Sequence, residues 1–351
     1  MPASLTAVVL AAGFGTRMKS ALPKVMHPVA GRPLLAYSLR AAFDAGVEQA
    51  VVVTSGRSEL SDFLTKEFGS RVITAVQDPP RGTGDAARIG MAHVHSARVL
   101  ILCGDTPLVR SEELAQLVAA LDRPGATDLS LMTCFLDLPH GYGRVLRDGE
   151  GGVREVREQR DLRDDRERAI REVNAGMYAG RTDVIASALA DVLPNNAQGE
   201  YYLTDIVAII ARSSIVTGVP GHREALLGVN DRAQLREAEE LMLERIRLRH
   251  AERGVTVRGN PRIDDGVEIA PDAIIEDGAS LRGLTRVGAG TRVDVGCVLT
   301  DAVVAEGVLL EPYTVVTSSE VGDRAQLGPF SHLGPDSLIE ADAPSGEVKR
   351  L

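Results

Sequence analysis

The sequence of 351 residues has no tryptophan, and only 3% of its residues are aromatic. Its three cysteines, Cys103, Cys134 and Cys297, are far apart and lack the close spacing of a metal site. They predict reduced thiols in a reducing compartment, the cytoplasm. No apolar run approaches the ~18 residues of a membrane helix, and no basic-then-apolar leader precedes Leu5, so neither membrane insertion nor secretion is expected.

The charge balance narrows the possible partners. With 39 basic and 49 acidic residues, the formal net charge is -10. This charge argues against non-specific binding to nucleic acid or to an anionic membrane, but it allows a local basic pocket for phosphates. At 44% hydrophobic and 25% charged residues, the composition is that of a globular protein, and the length predicts two domains.

A glycine-rich turn follows the first apolar run, residues 5–10, which predicts a buried strand. We call this turn the candidate phosphate loop: Leu10, Ala11, Ala12, Gly13 and Gly15. Closely spaced glycines let backbone N–H groups approach phosphate oxygens, and Arg17 and Lys24 follow with positive charge. By itself the loop also fits a plain strand-to-helix turn. A dinucleotide fingerprint would need glycine in place of Met18, and a P-loop would need Gly-Lys-Ser/Thr, so both are excluded.

Two more polar motifs follow predicted strands. Asp105 comes after the apolar run 99–102, and Asn230 comes after Gly228 and Val229. The carboxyl ends of strands in α/β proteins hold ligands, and Mg²⁺ prefers one or two protein oxygens together with substrate phosphates. Taken alone, Asp105 also fits an ordinary turn, and Asn230 also fits a helix cap. A further turn-rich loop, residues 77–86, opens onto a helix predicted to begin near Asp85.

The first two thirds of the chain predict an α/β fold with a mostly parallel sheet. Strand-like runs occur at residues 50–53, 72–76, 99–102 and 129–134, and amphipathic helical stretches at 33–45 and 111–121. Residues 232–253 predict a long charged helix with Leu235, Leu241, Met242 and Ile246 on one side. We therefore expect a domain at 1–228, a linking helix at 229–253 and a second domain at 254–351.

The second domain has an apolar residue every six positions, which predicts a hexapeptide β-helix of four to five coils. The rhythm covers Ile263, Ile269, Ile275, Leu281, Val287, Val293 and Leu299, and after a slip of four it resumes at Val303, Leu309, Val315, Val321, Leu327, Leu333 and Ile339. An acidic β-helix this short would gain apolar burial by self-association.

The phosphate-loop motif resembles the Leu-x-x-Gly-x-Gly-Thr-Arg-Met signature and downstream Pro-Lys of sugar-nucleotide pyrophosphorylases. The motifs Gly141-Tyr142-Gly143-Arg144, Val173-Asn174-Ala175-Gly176 and Asn195 to Asp205 narrow this resemblance. The whole chain resembles the family of bacterial bifunctional N-acetylglucosamine-1-phosphate uridyltransferases. That resemblance implies a Rossmann-like nucleotidyltransferase domain, a linking helix and a truncated left-handed hexapeptide β-helix. Because such β-helices usually trimerise, it also implies a homotrimer.

The resemblance also assigns roles to residues. It places Arg17 and Lys24 in catalysis and Mg²⁺ on Asp105 and Asn230. The nucleotide would contact both the phosphate loop and Lys24, and Gln77 and Gly82 would recognise its uracil. The sugar would contact Thr83, Cys103, Gly104, Gly143, Glu158 and Asn174.

The implied reaction transfers uridylyl from UTP to N-acetylglucosamine 1-phosphate, giving UDP-N-acetylglucosamine, a cell-envelope precursor, and pyrophosphate. One alternative is a glucose-1-phosphate uridylyl- or thymidylyltransferase. Another is a noncatalytic regulatory subunit that binds nucleotide sugars.

The sequence departs from the family in two places. Cys103 stands where the family usually has tyrosine, which could alter sugar discrimination. The β-helix lacks the later coils that hold the acetyl-CoA site, and Gly334 stands where the family usually has a phosphate-binding arginine. We therefore expect no acetyltransferase activity from this chain unless a separate polypeptide completes the β-helix.

Overall fold

The computed structural model describes residues 4–13, 15–56, 58–122, 127–344 and 349–350. It divides into two compact units. The first comprises Met1–His27 and Pro33–Leu235, and the second comprises Pro28–Arg32 and Arg236–Leu351. The three-part division expected from sequence stays a proposal.

Among the residues that the structure describes, eleven strands precede the long helix. They are β1 (Leu5–Ala11), β2 (Pro28–Val29), β3 (Arg32–Pro33), β4 (Gln49–Thr54), β5 (Val72–Val76), β6 (Arg98–Cys103), β7 (Thr127–Phe135), β8 (Arg144–Arg147), β9 (Val153–Arg157), β10 (Glu172–Arg181) and β11 (Ile215–Pro220). Strands β2 and β3 pair with each other, and the other nine form one sheet. Its main path runs β11-β7-β10-β6-β1-β4-β5.

This sheet is rich in parallel pairs, as the sequence predicts. Strand β1 lies parallel to both β4 and β6. Strand β10 runs antiparallel to β6 and β7, and β8 pairs antiparallel with β10 and β9. The phosphate loop lies at the carboxyl end of β1, and Asp105 lies just beyond the carboxyl end of the neighbouring β6. Parallel strands thus bring these two motifs to one edge of the sheet.

Helices cover both faces of the sheet. The helices of the chain are α1 (Leu34–Asp44), α2 (Ser58–Phe68), α3 (Thr83–Met91), α4 (Ser111–Ala119), α5 (Asp165–Arg168), α6 (Thr182–Ala190), α7 (Asp205–Ile210) and α8 (Arg232–Glu252), with short 3-10 turns between them. Val8 and Val9 are both 0% exposed and belong to two different core clusters. One cluster includes Leu35 of α1, and the other includes Ala87 of α3, so β1 is apolar on both faces. In the described part of the chain, no helix is long and apolar enough to cross a membrane.

The long helix α8 agrees closely with its predicted bounds, but its buried face differs. Ala238, Met242, Ile246 and His250 are its buried residues. Leu235 and Leu241, expected on that face, are half-buried. The buried stripe follows a spacing of four residues, and it takes in an alanine and a histidine that an apolar pattern does not single out.

The second unit contains a three-sided parallel β-helix. Its strands are β12 (Thr256–Val257), β13 (Arg262–Ile263), β14 (Glu268–Ile269), β15 (Ile274–Ile275), β16 (Ser280–Arg282), β17 (Arg286–Val287), β18 (Arg292–Val293), β19 (Val298–Thr300), β20 (Val303–Val304), β21 (Leu309–Leu310), β22 (Val315–Thr317), β23 (Glu320–Val321), β24 (Gln326–Leu327), β25 (His332–Leu333) and β26 (Ser337–Ile339), followed by β27 (Lys349–Arg350). Each of these first fifteen strands belongs to one of three stacks. This arrangement is that of the left-handed hexapeptide type that the sequence predicts.

The predicted phase of the repeat is wrong in its middle part. Val303 is 41% exposed, whereas Val304 is 2% exposed. The inward positions after Leu299 are accordingly Val304, Leu310 and Val316, followed by Val321, Leu327, Leu333 and Ile339. Strand β17 shows the reason, because Val287 pairs with Val304, seventeen residues later, whereas Ile263 pairs with Leu281, eighteen residues later. Two adjacent valines, or two adjacent leucines, hide a shortened coil from a count of apolar residues.

Candidate active site

The turn after β1 brings Lys24 against the phosphate loop. Gly15 has a backbone φ of 60°, and a Cβ at this position would lie 2.6 Å from the Cβ of Lys24. Glycine is therefore required here both by the left-handed backbone and by the close approach of the lysine. Met18 is only 1% exposed and anchors the turn, whereas Arg17 beside it is exposed. Phe14 lies outside the described residues.

Lys24 joins the Asp105 motif, which follows β6, to the motif Gly228-Val229-Asn230. The second motif was expected at a strand end, but it lies in a loop after a 3-10 turn, with Asn230 ten residues beyond the end of β11 at Pro220. Its Nζ donates to Oδ2 of Asp105, and it also donates to Oδ1 of Asn230 over 3.2 Å. The Lys24 and Asp105 side chains are only 13% and 16% exposed, so solvent screens their ion pair weakly. A carboxylate oxygen and an amide oxygen thus converge on one cation.

The backbone and neighbouring side chains orient Asn230. The Val229 N–H donates to the carbonyl of Asp105 over 2.9 Å, which ties the two motifs together. The Asn230 amide nitrogen donates to the carbonyl of Gly228 over 3.1 Å. Gln234 accepts from the Asn230 backbone N–H over 2.8 Å. With its nitrogen held in this way, the side-chain oxygen of Asn230 faces Lys24.

The first of two adjoining cavities has a volume of about 510 Å³. The predicted site residues that line it are Leu10, Ala11, Ala12, Gly13, Lys24, Gln77, Gly82, Thr83, Cys103 and Asp105. Gln77 is 3% exposed, and its amide nitrogen donates to the carbonyl of Gly82 over 3.1 Å and to Asp85 over 2.9 Å. Burial raises the pKa of Asp85, but the hydrogen bonds from Gln77 and Arg88 outweigh it, and the net pKa is lowered. Because the side-chain nitrogen of Gln77 is bound to Gly82 and Asp85, the side-chain oxygen of Gln77 is the polar atom that it offers to a nucleotide base.

The second cavity has a volume of about 390 Å³. The predicted site residues that line it are Arg17, Cys103, Asp105, Gly143, Glu158, Asn174 and Asn230. The carbonyl of Gly143 accepts from the Asn174 backbone N–H over 2.9 Å. The Asn174 side chain donates to the hydroxyl of Tyr178 over 2.7 Å and accepts from the Gly176 N–H over 3.2 Å. The amide of Asn174 is therefore fixed in direction.

Burial dominates the electrostatics of the second cavity. It raises the pKa of Glu158, with nearby Asp161 and Asp205 acting in the same direction and the hydrogen bond from Thr204 opposing them. Burial also raises the pKa of Asp205 to about 6, helped by Asp161 and Glu155. Where both cavities meet, burial and Asp105 raise the pKa of the Cys103 thiol to about 12. This thiol is therefore neutral near pH 7, neither a metal-binding thiolate nor a nucleophile.

Cys103 and Asp105 line both cavities, so the predicted nucleotide and sugar residues border one continuous region. Three predicted residues are placed differently from expectation. Thr83, expected at the sugar, lines the first cavity. Gly15 lies behind Lys24, and the Gly104 N–H donates to the carbonyl of Leu10 over 2.9 Å. Gly15 and Gly104 therefore shape the site from outside the two cavity linings.

Several cavity residues were not singled out from sequence. Glu200 lines the first cavity, and Thr106, His140 and Gln234 line the second. Thr204 contacts Glu158 from behind. Glu200 and Thr204 lie in the motif 195–205, which the sequence singled out without assigning a role to any one of its residues. Gln234 lies in a charged helix and had no such signal.

The metal expected at this site can be tested against the residues present. No three His, Cys, Asp or Glu side chains cluster as a metal site within the described ranges. Asp105 and Asn230 nevertheless supply two hard oxygen donors that already converge on a cation. Mg²⁺ uses few protein ligands and completes its shell with water and phosphate oxygens, so this pair fits it.

Comparisons with known proteins agree with the architecture. The MobA-like NTP transferase domain matches residues 7–134. A solved structure, a putative glucose-1-phosphate thymidylyltransferase from Bacillus anthracis in complex with sucrose, covers 68% of this chain and 95% of its own, with a TM-score of 0.57 and 18% identity. That likeness concerns the fold alone. The matched domain indicates the class of protein, a nucleotidyltransferase.

Relatives in sequence narrow this class. The "Bifunctional protein GlmU" of Sorangium cellulosum is 52% identical over 352 residues, which cover 98% of this chain and 74% of the relative. The protein of the same name from an Anaeromyxobacter species is 46% identical, covering 98% and 71%. The chain belongs to the GlmU family. Nucleotidyltransferases of this type are generally metal-dependent.

Proposed function

We propose that the chain transfers uridylyl from UTP to N-acetylglucosamine 1-phosphate at the junction of the two cavities. The observation that carries this proposal is the convergence of Lys24, Asp105 and Asn230 where the cavities adjoin. A nucleotide in the first cavity and a sugar phosphate in the second would place their phosphates beside this cluster. The product, UDP-N-acetylglucosamine, is a precursor of the cell envelope.

The reaction needs charge neutralisation rather than a base. A phosphate oxygen of the sugar substrate forms a bond to the α-phosphorus of UTP, and the bond from that phosphorus to the β-phosphate oxygen breaks. Pyrophosphate leaves with the electron pair, and no proton has to move. The barrier comes from bringing two anions into line, so fixed positive charge lowers it.

Lys24 supplies that charge at the junction, as a donor to the α-phosphate and the departing oxygen. Arg17 lines the second cavity with Asp105 and Asn230, and it neutralises the leaving β- and γ-phosphates. Mg²⁺ held by Asp105 and Asn230 would supply Lewis-acid stabilisation of phosphate charge. With phosphates bound, Lys24 exchanges its contacts to Asp105 and Asn230 for contacts to the substrate.

Around the junction, Gln77 and Gly82 read the uracil, while the phosphate loop, including Gly13 and Gly15, accommodates the nucleotide. Glu158, Asn174 and Gly143 hold the sugar through directional polar contacts. An amide and a carboxylate are suitable hydrogen-bond partners for an N-acetyl group and ring hydroxyls. A site with these partners rejects a sugar that lacks the N-acetyl group, because its polar groups are then left unpaired.

Pyrophosphate release tests this proposal. The purified chain is incubated with Mg²⁺, with UTP or dTTP, and with N-acetylglucosamine 1-phosphate or glucose 1-phosphate. We expect release mainly with UTP and the N-acetylated sugar. Preference for glucose 1-phosphate would assign the chain to that sister activity, and no release by folded protein would favour a noncatalytic role.

The assembly and the location of the protein are parts of the same proposal. We expect a homotrimer through the β-helix, which exposes Leu284, Tyr313 and Phe330 at 68%, 53% and 75%. Analytical ultracentrifugation would contradict this expectation if it gave a monomer at micromolar concentration. The cysteines Cys103, Cys134 and Cys297 are free, which supports a cytoplasmic location. The expected lack of acetyltransferase activity also stays a prediction.

A further inference from the structure

Residues 200–204 connect the walls of the two cavities. Glu200, at the start of this segment, lines the first cavity. Thr204, at its end, is 6% exposed, and its hydroxyl donates to Oε1 of Glu158 over 3.2 Å. Glu158 in turn lines the second cavity. One short segment thus reaches from the proposed nucleotide side to the proposed sugar side.

Three hydrogen bonds fasten this segment to Arg81 and to the Gly-Thr-Gly turn that follows it, residues 82–84. The Tyr201 N–H donates to the carbonyl of Arg81 over 2.9 Å, and the Gly84 N–H donates to the carbonyl of Tyr201 over 2.7 Å. The Leu203 N–H donates to Oγ1 of Thr83 over 3.0 Å. The Thr83 hydroxyl therefore sets the position of the residue immediately before Thr204.

The two glycines of the turn are shaped for the same docking. A Cβ at Gly82 would lie 2.5 Å from the carbonyl oxygen of Tyr201, and one at Gly84 would lie 3.1 Å from the same atom. Gly82 also has a φ of 111°, which a side chain would strain. The turn thus accommodates the backbone of residues 201–202, in addition to any contact with a nucleotide.

Glu158 needs a donor because its surroundings disfavour its charge. Burial raises its pKa, the carboxylates of Asp161 and Asp205 add to this effect, and the Thr204 hydroxyl works against them. Tyr178 and Tyr202 also lie close enough for Glu158 to raise the pKa of their phenols. Thr204 thus helps to keep Glu158 ionised and also fixes one of its two oxygens in direction.

We propose that Thr204 is a positioning residue that orients the Glu158 carboxylate toward the sugar ring of the substrate. Thr83 in turn holds Thr204 in place through Leu203. This inference rests on the proposed function. The Gly-Thr-Gly turn would then support sugar binding in the second cavity, although the Thr83 side chain itself lines the first cavity.

The first test compares T204V, which removes the hydroxyl at nearly constant volume, with T204S, which keeps it. A hydrogen bond to a charged group corresponds to a loss of roughly 10- to 100-fold in affinity. We expect T204V to raise the KM for N-acetylglucosamine 1-phosphate by about that factor, with kcat and the KM for UTP within about twofold. T204S restores most of the affinity. An equal loss in both variants, or a rise in both KM values, would overturn the positioning role.

The second test uses T83V, T83S and the double variant T83V/T204V. A neutral hydrogen bond corresponds to a loss of roughly 2- to 10-fold, so T83V raises the KM for the sugar phosphate by that smaller factor, and T83S does not. Because both residues act through one chain of contacts, the double variant resembles T204V alone. Multiplication of the two single effects, or a T83V effect on UTP alone, would refute the link.

Thr83 is exposed, so T83V remains informative if T204V fails to fold, and thermal unfolding monitors both variants. The parent chain separates the two proposals. If the parent releases no pyrophosphate from UTP and N-acetylglucosamine 1-phosphate, the proposed function fails. If the parent is active and T204V and T83V match it, only the positioning inference fails.

Discussion

Replacing Lys24 by alanine is the sharpest perturbation of the proposed chemistry. The lysine is the cation that Asp105 and Asn230 face, and its side chain is only 13% exposed. At an effective dielectric constant of about 20, two unit charges about 4 Å apart interact by about 4 kcal/mol. Lys24 affects kcat only through the part of this interaction that develops in the transition state, and we expect that part to be most of it. Since about 1.4 kcal/mol corresponds to a tenfold change in rate, a loss of at least about 10²-fold in kcat is expected.

The assay is pyrophosphate release at saturating UTP, Mg²⁺ and N-acetylglucosamine 1-phosphate. K24R, which keeps the charge but changes the donor geometry, should retain more activity than K24A. K66A is the matched control, because Lys66 is an exposed lysine in the last turn of α2. It should match the parent. Turnover of folded K24A within tenfold of the parent would remove Lys24 from the chemistry.

Three further predictions concern the metal, the sugar side and the β-helix. D105N should raise the Mg²⁺ concentration for half-maximal activity by about tenfold or more, and an unchanged Mg²⁺ titration would argue against a ligand role. Because burial raises the pKa of Glu158, its accepting carboxylate is lost as the pH falls through that raised value. The acid limb of kcat/KM for the sugar phosphate should therefore lie at higher pH than for an ordinary glutamate, and E158Q should abolish it; an identical limb in E158Q would assign it elsewhere. Leu310 is 0% exposed, so L310A should lower the free energy of unfolding by about 2–5 kcal/mol, whereas L309A should cost under about 1 kcal/mol. The reverse ranking in denaturant titrations would restore the phase counted from sequence.

Elements with a local cause could be predicted closely. The predicted helix at residues 33–45 corresponds to α1, Leu34–Asp44, and the predicted strand at 72–76 corresponds to β5. Their signals are short-range: apolar runs bounded by turn residues, and apolar residues at helical spacing. The antiparallel β10 was not foreseen, because strand direction depends on how distant segments pair.

The phase of the β-helix could not be read from its residues for a related reason. Val303 and Val304 are equally apolar, and only the pairing of Val304 with Val287 in the preceding coil decides which one faces inward. A periodic sequence thus determines that coils form. The shortened coils are decided by hydrogen bonding between neighbouring coils.

The sequence by itself determined the class of fold, the glycine-rich turn and the motifs with which a nucleotidyltransferase of this family is recognised. These features depend on residues adjacent in the chain, whose backbone freedom and polarity act locally. The tertiary structure decided that Lys24 contacts Asp105 and Asn230, which lie 81 and 206 positions away along the chain. It also decided that the turn 82–84 holds residues 201–203 and, through Thr204, reaches Glu158. Contacts of this kind follow from the packing of distant strands and loops, which no local pattern encodes.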